Sequence, residues 1–354
     1  MSHLRLWAGV IKDEILARPG RSIAILFFIL LYSLPMFTSD PYYLRFLILS
    51  MIFALFAASW DVLSGFTGQL NLGHALFFGI GGYTAGMLSK YLHFPPYITI
   101  SVGAVAAILV GLLVCLPALR LRGFYLGLVT MAFPIILLGL IFAFPQFTGG
   151  ELGIIGIEKL VDSRTGIYYI VLIVFSISIL IMWKFTDAAS KIFRTGVILH
   201  AIREDEIATK AAGINTVKYK MLAFALSAFF SGIAGGLYVH FMRISAPSTL
   251  DLMLSFQAIL WTIFGGIATI YGSVLGVFTL YPLLEILSLT QFGGAIRHIV
   301  LAVILICTLI FMPEGIGVWI LDKIQIKCPR CKVLNAVTRN NCRACRALLE
   351  AKPT

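Results

Sequence analysis

An all-α polytopic membrane protein of about ten transmembrane helices (8–10), closed by a small four-cysteine tail, is the fold this sequence predicts. Three observations carry that reading. The 354-residue chain is 60% hydrophobic and only 12% charged, about half the ~25% usual in soluble domains. Its apolar residues gather in runs of about 20, the length a helix needs to cross a ~30 Å hydrocarbon core at ~1.5 Å per residue. Of its 27 lysines and arginines, 21 fall in segments on one side of such an arrangement.

The runs are, in order, 22–37, 43–63, 70–90, 97–119, 124–144, 167–185, 220–241, 255–270, 273–289 and 296–312. Two of them set the range of the count. Run 70–90 holds five glycines and reads as a broken or re-entrant helix, and run 255–270 is short. The charge bias orients the whole, because cytosolic loops retain lysine and arginine. It places the N-terminus, the loop around Leu199 and the C-terminal tail in the cytosol, with both termini inside a cell (plasma or inner) membrane. The net charge of +11 records this asymmetry, so no nucleic-acid partner is expected.

Residues 1–21 form a basic segment in which Leu4, Trp7, Ile11 and Ile15 mark an apolar face. A surface-lying helix touching membrane lipid is expected there, with no small-residue site for signal cleavage. Residues 22–318 make the membrane domain, interrupted by a cytosolic loop at 186–219, and 319–354 make the tail.

Two glycine-rich stretches interrupt the lipid-compatible pattern. SWDVLSGFTGQLNLGHALFFGIGGYTAG, residues 59–86, places Gln69, Asn71 and His74 where hydrocarbon penalises polar groups. FGGIATIYGSVLG, residues 264–276, repeats the theme with Gly265 and Gly266. Small-residue helix packing explains such stretches in many membrane proteins. The functional alternative is an interrupted helix lining a polar path, since irregular backbone is tolerated at membrane depth only against protein or water. Asp61, His74, His240 and Glu285 also fall in or near spanning runs, where a charge costs at least about 2.5–3.5 kcal/mol. Asp61 and Glu285 are placed near helix ends, in interfacial positions, and His74 as a packed hydrogen-bonding group. Nothing has nucleophile–base spacing, so catalysis is not expected. The chain also lacks a Gly-Lys dipeptide, hence a Walker A lysine.

At these motifs the chain resembles the LivM/LivH-type permeases of branched-chain amino-acid ABC importers. The stretch from Trp60 to Gly86 is similar to that family's signature. AIREDEIATKAAGINTVKYKMLAFALSAFFSGIAGGLYV resembles its cytoplasmic loop and following helix, and FGGIATIYGSVLG and MPEGI resemble two C-terminal motifs. The resemblance covers residues 28–317. Ala268 and Ser273 stand where the family usually has glycine and proline, and Glu314 where a basic residue is common. The tail is no standard part of the family.

The resemblance implies a permease subunit that moves branched-chain, hydrophobic amino acids. Its implied partners are a second LivH-like permease subunit, two cytosolic ATP-binding subunits and an extracytoplasmic substrate-binding protein. ATP enters only through those subunits. Urea or short-chain amides are the alternative cargo, and an autonomous channel or secondary transporter the alternative class. It also implies that the loop docks the ATPase. Glu204, Asp205 and Glu206 are expected in the first turn of a short helix and Lys210 near its end, matching the helix dipole, with Gly213 as C-cap. Ile207, Ala211 and Ile214 fall at i, i+4 and i+7, one apolar stripe. Ile207 and Ala211 are expected to be buried by the partner, with Glu206 and Lys210 at the rim.

In the tail, Cys328 and Cys331, then Cys342 and Cys345, form two CxxC pairs. Two such pairs offer four thiolates to one tetrahedral ion, most often structural zinc, and a reducing cytosol argues against disulfides. Cys115 and Cys307, in spanning runs, are read as small buried hydrophobes.

Overall fold

The computed structural model describes residues 19–37, 40–118, 121, 123–188, 194–288, 293–330, 334–336, 342, 345 and 349. The N-terminal basic segment therefore lies outside the described residues, apart from its last three positions. The chain is overwhelmingly helical. In chain order the helices are α1 (Pro19–Phe37), α2 (Pro41–Trp60), α3 (Ala75–Leu92), α4 (Pro96–Ala118), α5 (Phe124–Ala143), α6 (Arg164–Thr186) and α7 (Thr195–Glu204). They continue as α8 (Glu206–Ala211), α9 (Thr216–Met242), α10 (Leu252–Gly265), α11 (Ile270–Ser288), α12 (Gly293–Phe311) and α13 (Ile316–Ile324).

Each apolar run of the sequence falls on one of these helices. Among the described residues, seven helical stretches are long and apolar enough to cross a membrane: Pro41–Gly65, Pro96–Pro117, Phe124–Ala143, Arg164–Thr186, Thr216–Met242, Ile270–Leu287 and Ala302–Ile324. Two shorter apolar helices, Ile23–Phe37 and Leu252–Gly265, accompany them. Helix α3 starts only at Ala75, so the glycine-rich run at 70–90 is indeed broken.

Helix α2 is the central post. From Ile48 to Phe66 every residue except Phe53 is buried, and α2 packs against α6, α9, α10 and α11. Helices α3, α4 and α9 form a tight trio beside it. Glycine makes that closeness possible: a methyl group added at Gly235 of α9 would collide with the Phe78 carbonyl of α3, and one at Gly81 with the Gly232 carbonyl. With backbones at this range, dispersion and lipid release favour association where no hydrophobic difference does. By contrast α5 buries only Leu126, Gly127, Thr130, Pro134 and Ile141. Its Leu128, Ile135, Ile136 and Leu140 are exposed, as suits a face toward lipid or another subunit. Cys307 of α12 is exposed as well, whereas Cys115 is buried as expected.

Two small sheets mark opposite regions. Strand β1 (Ile154–Ile155) pairs antiparallel with β2 (Ile244–Ser245), tying the loop after α5 to the loop after α9. In the tail, β3 (Gln325–Lys327) pairs antiparallel with β4 (Leu334–Ala336), with Ile326 opposite Asn335.

Candidate functional site

The first candidate site is the break between α2 and α3. Helix α2 ends in a π-helical turn, Asp61–Gly65, and residues 68–73 are irregular before α3 begins. Each backbone group loosened by such a break needs a partner, and side chains supply several. The Trp60 indole N–H donates to the Asn71 carbonyl at 2.6 Å. Ser64 Oγ accepts from the Asn71 N–H at 3.2 Å and Asn71 Oδ1 from the Gly73 N–H at 3.0 Å. Across helices, Thr130 Oγ1 accepts from the Leu72 N–H at 3.1 Å and Ser255 Oγ from the Ala75 N–H at 2.8 Å.

His74 is the node of this network. It is fully buried, its Nε2 lies 2.9 Å from Ser59 Oγ and 3.2 Å from the Phe56 carbonyl, and its ring stacks on Phe56 at 4.7 Å. Its Nδ1 sits 3.5 Å from Asn71 Nδ2. Gln69 is also buried, and its Oε1 has no partner. The structure thus brings Gln69, Asn71 and His74 into one buried polar seam.

Gly265 and Gly266 lie elsewhere, at the turn from α10 to α11. They meet the seam's neighbourhood through Asp61, which is fully buried rather than interfacial. Its Oδ1 accepts the Ala268 N–H at 2.8 Å, latching α2 to that turn. Ala268 stands at φ 60°, the left-handed region where glycine is cheaper.

The second candidate site is the arm α7–α8. The sequence reading needs a correction here. Glu204 closes α7 instead of opening α8. Asp205 is the N-cap of α8, its Oδ1 accepting from the N–H groups of Ile207 at 2.8 Å and Ala208 at 3.0 Å. Glu206 is not a rim residue. Its side chain turns inward, with Lys220 Nζ of α9 at 2.7 Å from Oε2 and Lys210 Nζ at 2.8 Å from Oε1. Thr216 Oγ1 adds a hydrogen bond at 3.3 Å. Burial alone would raise this carboxyl's pKa. The hydrogen bonds and charges of Lys210 and Lys220 outweigh it and bring the value down to about 2.

Gly213 does what capping chemistry asks. At φ 81° it ends α8 in a left-handed turn, its N–H bonding to the Lys210 carbonyl and the Ile214 N–H to that of Thr209, the pairing of a Schellman motif. Outward, the arm shows an apolar face. Ile207 is 67% exposed, Ala208, Ala211 and Ala212 are exposed, and Val217 is 44% exposed. The same arm touches the broken segment, with the His200 ring 5.3 Å from Phe66 and Arg203 at Gly68.

Comparison with known proteins bears on both sites. Residues 42–309 match the family described as branched-chain amino acid transport system / permease component. The chain belongs to this family. It is 27% identical over 298 residues to the high-affinity branched-chain amino acid transport system permease protein LivM of Escherichia coli, covering 76% of this chain and 68% of that one. It is 26% identical over 262 residues to the probable branched-chain amino acid transport permease protein LivH of Methanocaldococcus jannaschii, covering 67% of this chain and 79% of the relative. The LivH of Escherichia coli is 24% identical over 295 residues, 76% of this chain and 92% of its own length. No solved structure matches. The protein is a multi-pass transport permease.

The tail of this permease lies beyond the matched residues. Cys328 and Cys342 are buried and Cys345 half-buried. Their three sulfurs lie within 4.8 Å of one another, close enough to hold a metal ion, and Cys331 lies outside the described residues. Cys328 and Cys345 sulfurs stand 3.6 Å apart, near the ~3.8 Å edge of a tetrahedron with ~2.3 Å zinc–sulfur bonds. Buried Asn335 of β4 donates to the Cys342 sulfur at 3.6 Å, the kind of outer hydrogen bond that steadies a thiolate ligand.

One feature had no sequence signal. Phe53, Trp261 and Tyr281 form an aromatic knot, with Phe53 at 5.5 Å from Trp261 and 5.2 Å from Tyr281. Tyr238 joins at 5.9 Å. These residues come from α2, α9, α10 and α11, too far apart in sequence for any local pattern.

Proposed function

We propose that this permease is one membrane subunit of an ATP-driven importer of branched-chain amino acids. It works with a second LivH-like permease subunit, two cytosolic ATP-binding subunits and an extracytoplasmic substrate-binding protein. The observation that carries the reading is the arm α7–α8. In a chain of this permease family, a capped helix held rigidly from behind presents an apolar face that nothing in the chain covers. A solvated connector has no use for such a face, whereas the groove of a cytosolic ATPase does.

In this reading Ile207 and Ala211 enter the groove, Asp205 and Gly213 fix the ends of α8, and Glu204 and Lys210 sit at the margin. The arm, the N-terminus and the tail are cytosolic. The seam of Gln69, Asn71 and His74, with Gly265 and Gly266 across from it, borders the path of the cargo. Domain limits follow at 1–21, 22–318 and 319–354. Zinc is the metal of the tail, held by Cys328, Cys331, Cys342 and Cys345, where it stabilises a fold too small to form alone.

Purification from native membranes with partners intact tests the main claim. An ATPase co-purifies, and liposomes carrying the complex accumulate leucine, isoleucine and valine only with ATP and the binding protein. Uptake of urea or acetamide instead redirects the cargo, and uptake without any ATPase overturns the class. Elemental analysis of the purified complex returns one zinc per chain, and iron or no metal refutes that assignment.

A further inference from the structure

The chain's central transmission element is the buried ion pair behind the docking face, and its role rests on the docking reading above. We propose that Glu206 is a positioning residue: with Lys220 it braces α8 rigidly against α9, so that movement imposed on α8 reaches α3 and the broken segment.

The connection between α8 and α9 is by itself a weak joint. It consists of residues 212–215, and Gly213 has nothing within 4 Å of the position its missing Cβ would take. A push on α8 would bend this corner before it moved α9. Glu206 bypasses the corner. Its carboxylate reaches 14 positions along the chain to Lys220, one turn inside α9, at 2.7 Å. The Lys220 side chain is 9% exposed and the Glu206 side chain 20% exposed, so water competes poorly for the pair. Thr216 Oγ1 takes the other carboxylate oxygen at 3.3 Å. The coupling helix is therefore held at its first residue to the first turn of a 27-residue helix.

Beyond Lys220 the route is stiff. Helix α9 packs on α3 at backbone distance through Gly235 against Phe78 and Gly232 against Gly81. Helix α3 starts at Ala75, whose N–H is anchored by Ser255, and His74 precedes it directly in the polar seam. A displacement of α9 thus carries α3 and strains the seam. An interaction that only stabilised the loop would not need to reach this particular helix.

The test uses the reconstituted complex with its ATPase subunits, reading leucine imported per ATP hydrolysed alongside ATPase binding. Lys220→Met is expected to retain ATPase binding within about twofold while leucine per ATP falls tenfold or more. Glu206→Gln, which keeps the side chain's shape, gives the same loss and serves if Lys220→Met fails to assemble. The exchange Glu206→Lys with Lys220→Glu recovers leucine per ATP severalfold over either single change. Unchanged leucine per ATP in both single variants overturns the brace. So does a loss of ATPase binding that accounts for the whole loss of uptake. The docking reading fails separately, if Ala211→Glu leaves the ATPase bound.

Discussion

The broken segment 66–74 and the arm α7–α8 are both too polar for lipid, yet they resolve that misfit in opposite directions. In the segment, polar side chains turn inward and partner loosened backbone: Trp60, Ser64, Thr130 and Ser255 each bond a main-chain group of residues 71–75. In the arm, the charges are used up behind the helix by Glu206, Lys210 and Lys220, and the apolar side chains are left outside. A closed polar network has little to offer another molecule, because its partners are already inside the chain. An apolar face in water has the reverse character, since covering it is favourable by about 25 cal/mol per Å². The segment is built to be rigid, and the arm to be covered.

The largest effect expected from this contrast is at His74. Replacing it with alanine leaves Ser59 and Asn71 without a buried partner and removes the stack on Phe56. Orphaned buried groups cost about 1–3 kcal/mol each, and the lost ring adds a cavity cost of similar size. Thermal unfolding of the purified permease should shift down by on the order of 10 °C. An unshifted transition would show that the seam is solvated rather than closed.

Next comes Ala211→Glu. The position is exposed in the isolated chain, so stability of the permease alone should move by no more than about 0.5 kcal/mol. Affinity for the ATPase should fall about a hundredfold or more, because burying an unpaired charge costs several kcal/mol. Binding measured by co-purification and stability measured by melting must therefore separate here, whereas at His74 they move together. Loss of both at Ala211 breaks the comparison.

The inward carboxylate gives a pH signature. Glu206 faces Lys210, Lys220 and Thr216, and its pKa is lowered from the ordinary 4.5 to about 2. A depressed carboxylate binds fewer protons folded than unfolded, so its contribution is fully present above about pH 4.5 and fades as pH falls toward 2. Local unfolding of the arm, followed by proteolysis between Ala212 and Asn215, should rise through that window. Glu206→Gln removes the dependence.

How much of this was legible in the sequence differs between the two regions for a physical reason. Apolar runs report helices directly, because length and lipid compatibility are properties of a local stretch. The break at 70–90 was visible too, since five glycines and three polar residues cannot sit in one lipid-facing helix. Asp61 was misjudged because its partner, the Ala268 N–H, lies 207 positions away. Glu206 was placed on the rim because helical spacing orders residues around one axis and says nothing about a second helix crossing behind. Lys220 supplied that missing fact. The outward stripe Ile207–Ala211 was read correctly as a face, since its residues share one short helix.

The smallest effect sharpens the comparison most. Two lysines share Glu206, and they differ in little but burial: the Lys210 side chain is 44% exposed and the Lys220 side chain 9% exposed. Lys210 is also the i+4 partner within α8, a pair worth about 0.3–0.5 kcal/mol on exposed helices. Lys210→Met should therefore cost well under 1 kcal/mol in melting and leave leucine uptake per ATP within about twofold. Lys220→Met removes the pair that water screens least and that joins two helices instead of two turns of one. A double-mutant cycle over Glu206, Lys210 and Lys220 should find the larger coupling energy on the Glu206–Lys220 edge. Equal couplings on both edges would mean that the carboxylate merely stabilises its own helix, and that the polar side of the arm is as self-contained as the seam beside His74.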